Sequence, residues 1–191
     1  GTVRAETDRP VGVNVLRNDG PSAVAVAAAT GAAFVRVNVH VGARVADQGM
    51  LEGKAHETMR LRDRLDADVR VLADVDVKHS APLGRRASRG PELLGDAVER
   101  GLADGVIVSG SGTGRATDTD DVRAAVAARD DRGLDAPVFV GSGVTAETVG
   151  DALSAADGVI VGSALEADGE AGCPVSVERV ERLVEAADAV R

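Results

Sequence analysis

Aromatic side chains are nearly absent from this chain, which has two phenylalanines and neither tryptophan nor tyrosine. Its single cysteine, Cys173, rules out a disulfide within the 191 residues and any multi-cysteine metal cluster. Lysine is scarce as well: Lys54 and Lys78 stand beside 20 arginines. Long apolar runs are lacking. The most apolar stretch, residues 22–35, is 14 residues long, mostly alanine, and broken by Gly31. A membrane span needs about 20 strongly apolar residues, and no signal-peptide pattern is visible, so a cytoplasmic protein not integral to a membrane is expected. No basic block runs along the chain, and 31 acidic against 22 basic residues leave a net charge of -9. Nucleic acid is therefore not an expected partner.

What is present is valine and aspartate in a regular order. A length of 191 residues suits one domain. Valine-rich runs at 11–16, 34–39, 69–77, 105–109, 138–140 and 158–161 read as strands. Helical spacing or strong helix formers occupy 22–29, 55–65, 91–102, 118–129, 146–155 and 177–190, with Ser22, Thr145 and Ser176 at capping positions. Strand followed by helix, six times and with no hairpin signal, predicts parallel strands joined by helical crossovers. The segment beginning Leu102-Ala103-Asp104-Gly105-Val106-Ile107-Val108 returns two units later as Ala155-Ala156-Asp157-Gly158-Val159-Ile160-Val161. A repeat two units apart fits a (β/α)8 barrel better than an open sheet. Such barrels usually have about 250 residues. The expectation is therefore an α/β chain of the TIM-barrel type with six βα units, the first two missing. The exposed edges this leaves predict self-association into a homo-oligomer or an upstream segment.

Strand alternation then sorts the side chains. Val11, Val13 and Val15, then Val35, Val37 and Val39, then Val71, Ala73, Val75 and Val77 form the apolar sets expected to face the helices. The other parity places Asn14, Arg36, Asn38, His40, Asp74, Asp76 and Lys78 in the lumen, toward the end where barrel active sites lie. Buried charges are costly unless paired, so the cluster is either a neutralised salt-bridge network or a site. In the second reading Lys78 anchors an oxyanion or phosphate and Asp74 or Asp76 serves as acid and base, with His40 as an alternative proton carrier. The neighbouring aspartates oppose a Schiff-base role for Lys78. A metal site built from His40, Asp74, Asp76 and His79 is chemically permissible, but its spacing matches no ligand motif, so neither metal nor cofactor is expected.

The last three strands end in small residues: Ser109-Gly110 and the glycines that follow, then Gly141-Ser142-Gly143, then Gly162-Ser163. Such loops expose backbone N–H groups that can hold a phosphate, while tight turns alone would also explain them. Ser109 and Gly110 are expected to touch substrate, and the two later loops its phosphate. A rival reading takes Gly141-Ser142-Gly143-Val144-Thr145-Ala146 as a dinucleotide fingerprint, with Glu166 on the ribose.

Taken together, residues 10–19 (PVGVNVLRND), Phe34-Val35-Arg36-Val37-Asn38-Val39, Asp47-Gln48-Gly49, Leu72-Ala73-Asp74-Val75, Val77-Lys78-His79, Val108-Ser109-Gly110 and Val140-Gly141-Ser142-Gly143-Val144 closely resemble the BtpA/SgcQ family over nearly the whole chain. The resemblance implies a phosphate-binding (β/α)8 barrel and a link to the biogenesis of membrane complexes, notably photosystem I in cyanobacteria. Two expectations follow. One is a protein that binds, and isomerises or cleaves, a small phosphorylated sugar-like metabolite. The other is a non-catalytic assembly factor.

Overall fold

A computed structural model describes residues 1–47, 49–75, 80–83, 91–110, 117–169 and 171–190. After a short helix α1 (Thr2–Ala5), the chain runs through β1 (Gly12–Val13), α2 (Gly20–Thr30), β2 (Phe34–Val37), β3 (Ala43–Ala46), β4 (Gly49–Glu52), α3 (Ala55–Arg64), β5 (Arg70–Val75) and β6 (Ser80–Pro82). It continues with α4 (Pro91–Gly95), which widens into a π-helical turn over Asp96–Arg100, then β7 (Gly105–Ser109), α5 (Thr119–Asp131), β8 (Val138–Gly141), α6 (Val149–Ala155), β9 (Gly158–Ile160) and α7 (Val177–Asp188). Six strands form one parallel sheet in the order β1-β2-β5-β7-β8-β9, which is chain order throughout. The sheet is curled and lined by helices, the arrangement of a (β/α)8 barrel represented by six βα units.

One face of the sheet is packed against the helices. Val35, Val37 and Val71 bury with Ala23, Val24 and Ala27 of α2 and Met59 of α3. Ala73, Val75, Val106, Val108, Val138 and Val140 bury with Leu94, Val122, Ala125 and Val149 of the later helices. The valine parity is thus the helix-facing parity, and the alternate residues face the concave side.

On that concave side, large residues cover glycines on the neighbouring strand. Gly12 pairs with Phe34, Gly105 with Leu72 and Gly158 with Phe139. A Cβ built on Gly105 would lie 2.9 Å from Leu72 Cδ2, and one on Gly158 would lie 2.8 Å from Phe139 Cδ1. One on Gly12 would overlap the edge of the Phe34 ring. Interior volume is shared between adjacent strands, so these glycines are set by packing rather than by turns.

The sequence repeat acquires a structural meaning at the N-terminal rim. Asp104 Oδ2 accepts from Val71 N at 2.7 Å and from Arg62 Nη1 at 2.6 Å. Asp157 Oδ2 accepts from Val138 N at 2.8 Å and from Arg129 Nη1 at 2.5 Å. In each case an aspartate just before a strand satisfies the previous strand and neutralises an arginine near the end of the helix before that.

Some local expectations change. Asp19, not Ser22, caps α2: its side chain accepts from Ser22 N at 3.0 Å and from Ser22 Oγ at 2.7 Å, and the helix ends at Gly31 with φ 67°. Those hydrogen bonds from Ser22 hold the Asp19 carboxyl below its usual range. Helix α6 starts at Val149, after a turn in which Thr145 N donates to Thr148 Oγ1. Where no hairpin was expected, β3 and β4 pair antiparallel and β6 joins β3, forming a three-stranded sheet beyond the C-terminal ends of β2 and β5. Asn18 ties this excursion down, since its Oδ1 accepts from Val39 N at 2.6 Å and its Nδ2 donates to Glu52 O at 3.0 Å.

Candidate functional site

The concave side of β1, β2 and β5 carries a polar cluster centred on Asp74. Register places Val37 beside Ala73 and so Asn38 level with Asp74. Arg36 grips the carboxylate with two donors, Nε to Oδ1 at 2.8 Å and Nη2 to Oδ2 at 2.9 Å. Asn38 Nδ2 donates to Oδ2 at 2.8 Å. Asn14 Nδ2 donates to Arg36 O at 2.8 Å, and Asn38 Oδ1 lies 3.5 Å from it. The Asp74 side chain is 3% exposed and that of Arg36 25%. This is the planar, two-point geometry in which a guanidinium best offsets the desolvation of a buried carboxylate. The outer guanidinium edge remains toward the barrel mouth.

There Arg36 lines a cavity of about 440 Å³ together with Ser142, Gly143, Gly162 and Ser163. Four strand steps separate β2 from β9, so only a curled sheet brings these residues to one hollow. Two backbone features shape the loop after β8: Ser142 has φ 100° and Gly143 has φ 69°. The latter lies in the left-handed region that favours glycine. Thr117 Oγ1 donates to Gly141 O at 3.1 Å and fixes the loop from the segment before α5. Gly141 lies behind the loop, on the concave face, where an added Cβ would come 2.9 Å from Ile107 Cγ2. Gly162 precedes a 3-10 turn over Ser163–Leu165.

Of the residues expected in the lumen, Asn14, Arg36, Asn38 and Asp74 come together. Asp76 and Lys78 lie outside the described residues, as does His79. Ser109 ends β7 on the concave face with its hydroxyl buried and without a hydrogen-bond partner among the described residues, and Gly110 beside it is buried.

His40 is placed elsewhere, which corrects the parity expectation. Strand β2 ends at Val37, Asn18 captures the Val39 N–H, and the alternation stops applying. His40 turns toward the helix layer and is 1% exposed. Its Nε2 donates to Gly101 O at 2.8 Å, which leaves Nδ1 buried and without a partner among the described residues. Burial pushes its pKa down, against the Gly101 hydrogen bond.

Three further cavity residues carried no motif that marked them. Glu147 lies in the loop before α6, while Arg179 and Arg182 come from α7. Arg182 Nη2 pairs with Glu147 Oε1 at 3.1 Å across the cavity. The hydrogen bond with Thr145, then its own backbone N–H, keep the Glu147 carboxyl below the usual range. Their one sequence signal is the i, i+3 spacing of arginines on an amphipathic last helix, which is also the pattern of an ordinary solvated face.

The dinucleotide reading fails on topology. Strand order follows chain order, so no switch point exists for a dinucleotide to straddle, and seven residues separate Gly141 from the start of α6. Glu166, assigned to the ribose in that reading, accepts from Gly172 N and bridges to Val175. Among the described residues no helix is long and apolar enough to cross a membrane, and no group of three or more His, Cys, Asp or Glu side chains is placed to hold a metal ion.

The fold resembles N-(5'-phosphoribosyl)anthranilate isomerase from Pyrococcus furiosus, with a TM-score of 0.63 and 19% identity over 99% of this chain and 78% of that one. In sequence the chain is 46% identical over 180 residues to the photosystem I biogenesis protein BtpA of Synechocystis, a match covering 93% of this chain and 60% of that protein. It is 44% identical to the protein TK2179 of Thermococcus kodakarensis, over 99% of this chain and 69% of that protein. With the family model matched over residues 1–189, the chain belongs to the BtpA family.

Proposed function

We propose that this chain binds a small phosphorylated, carbohydrate-like metabolite at the mouth of the barrel. The observation that carries the reading is the single hollow shared by Arg36, Ser142, Gly143, Gly162 and Ser163. In it the phosphate sits against the two small-residue loops, where backbone N–H groups meet it without side-chain obstruction. The hydroxyl-bearing body extends toward Arg36, Asn38 and Asn14, with Ser109 and Gly110 beside it. Asp74 fixes Arg36 and is the described carboxylate of the polar cluster. Asp76 and Lys78, two and four positions on, are the remaining members of the proposed acid, base and oxyanion set for isomerisation or cleavage. His40 has no part in this set, since it faces the helix layer.

Thermal denaturation against a panel of sugar phosphates tests the reading, with Asp74→Asn and Lys78→Ala as comparisons. A phosphorylated ligand raises the midpoint of the unchanged chain and not of the variants. Absence of stabilisation by any phosphorylated compound sinks it.

A second reading, an assembly factor for a membrane complex, draws on the name of the Synechocystis relative. The Thermococcus kodakarensis protein is almost equally similar, so sequence similarity does not single out that role. A complementation assay separates the two: an assembly factor tolerates Asp74→Asn and fails on substitutions of the outer helix faces.

A further inference from the structure

We infer that Arg179, on the first turn of α7, is the cation that holds the phosphate of the bound ligand. This rests on the phosphate reading given above and assigns to it a side chain from outside the glycine loops. Three of the described arginines line the cavity. Arg36 is committed to Asp74 through two hydrogen bonds, and Arg182 is committed to Glu147. Arg179 has no carboxylate within ion-pair distance among the described residues. Its one side-chain hydrogen bond among the described residues runs from Nη1 to Ala164 O at 3.3 Å.

That bond matters for geometry. Ala164 follows Ser163, so the guanidinium is moored to the turn that forms one wall of the proposed phosphate seat. Nη1 also lies 3.7 Å from where a Cβ on Gly169 would be, an ordinary contact distance that sets the guanidinium beside that glycine. A guanidinium has five N–H donors in a fixed fork, and one of them is used here. The others can meet two oxygens of a phosphate, the arrangement in which arginine exceeds lysine. Among the described residues the charge balance agrees: the pairs Arg36 with Asp74 and Arg182 with Glu147 offset each other, and Arg179 is the cationic lining residue left over. A phosphate needs that charge because Glu147 stands in the same wall.

The test is phosphorus NMR and calorimetry on the 191-residue chain with inorganic phosphate and with ribose 5-phosphate as probes. Charge-assisted hydrogen bonds of this kind are worth a factor of about ten to a hundred in affinity. Arg179→Gln is therefore expected to weaken both probes at least tenfold, Arg179→Lys to recover part of that loss, and Arg123→Gln, a surface charge on α5, to match the parent. A direct reading avoids dependence on folding of the variants: the Nε–H resonance of Arg179 in the parent chain, identified by its loss in Arg179→Lys, moves on phosphate addition. If the parent binds the probes while Arg179→Gln binds equally well, or while that resonance stays still, the role of Arg179 is overturned and the phosphate reading stands. If the parent binds neither probe, both fall.

Discussion

Asp104 and Asp157 make the same pair of hydrogen bonds on successive quarters of the barrel, one to a backbone N–H and one to an arginine of a preceding helix. The repeat in the sequence is thus a stability device at the rim opposite the site. Removing either partly exposed acceptor leaves a strand N–H without its partner, at a cost of about 1 kcal/mol, the lower end of the range for an unmade hydrogen bond. The two positions are not equivalent in what they strand. Arg129 keeps a second carboxylate, Asp130 at 2.8 Å, whereas among the described residues Arg62 has Asp104 alone. Asp104→Ala is expected to lower urea stability more than Asp157→Ala, with ligand binding unaffected in both. The reverse order would contradict this account of the rim.

The glycines of the concave face lead to a second expectation. At Gly158 an added methyl would stand 2.8 and 2.9 Å from two Phe139 ring carbons, too close for either to stay in place. Gly158→Ala should therefore cost about 1–3 kcal/mol, the range for overpacking a filled interior. Shortening the neighbour makes room, so adding Phe139→Leu should return part of the loss. Chemical denaturation of the two single variants and the double variant measures it, and strictly additive losses would show that the two residues do not share space.

Much of this arrangement was legible from strand alternation, because a strand buried against helices on one side writes its apolar parity plainly, as at Val35, Val37, Val71 and Val75. Arg36, Asn38 and Asp74 follow from the same rule. It misplaces His40 because parity holds only while the chain stays extended, and the chain after β2 is set by Asn18, which takes the Val39 N–H from 21 positions away. The small sheet of β3, β4 and β6 went unseen since its strands have three or four residues and weak alternation. Arg179 and Arg182 were invisible for another reason: on a surface helix, arginines at this spacing are ordinary, and only tertiary packing turns them toward the hollow.

The placement of His40 carries a dependence on pH. Burial holds its pKa below the ordinary value near 6.5, and the nearby Arg62 adds to this while Gly101 O and Asp104 oppose it. Above that value both folded and unfolded chains carry neutral imidazole, and His40 contributes no slope. As the pH falls below it, the unfolded chain takes up a proton that the folded chain resists, so stability declines until the folded pKa is reached. The slope is at most about 1.4 kcal/mol per pH unit. Denaturation from pH 7.5 to pH 5 should show a steeper loss for the parent than for His40→Gln. Parallel curves would mean that the imidazole titrates normally in the folded chain.

The last expectation concerns the pair at the centre of the site. Asp74 is 3% exposed and receives three donors from Arg36 and Asn38, so Asp74→Asn exchanges an acceptor for a donor that faces other donors. Arg36 then keeps a partly buried charge without its counterion, which costs more than loss of the pair as a whole. The single variants Asp74→Asn and Arg36→Met should each destabilise the chain, and the double variant should be less damaged than their sum. Contacting charged residues give coupling of about 0.5–3 kcal/mol in such cycles. Arg36→Lys discriminates further, because an ammonium cannot reproduce the two-point grip and should recover only part of the coupling. Coupling indistinguishable from zero would mean that the carboxylate and guanidinium do not meet in solution. The hollow at the barrel mouth would then lose the residue that links it to the polar cluster on β2 and β5.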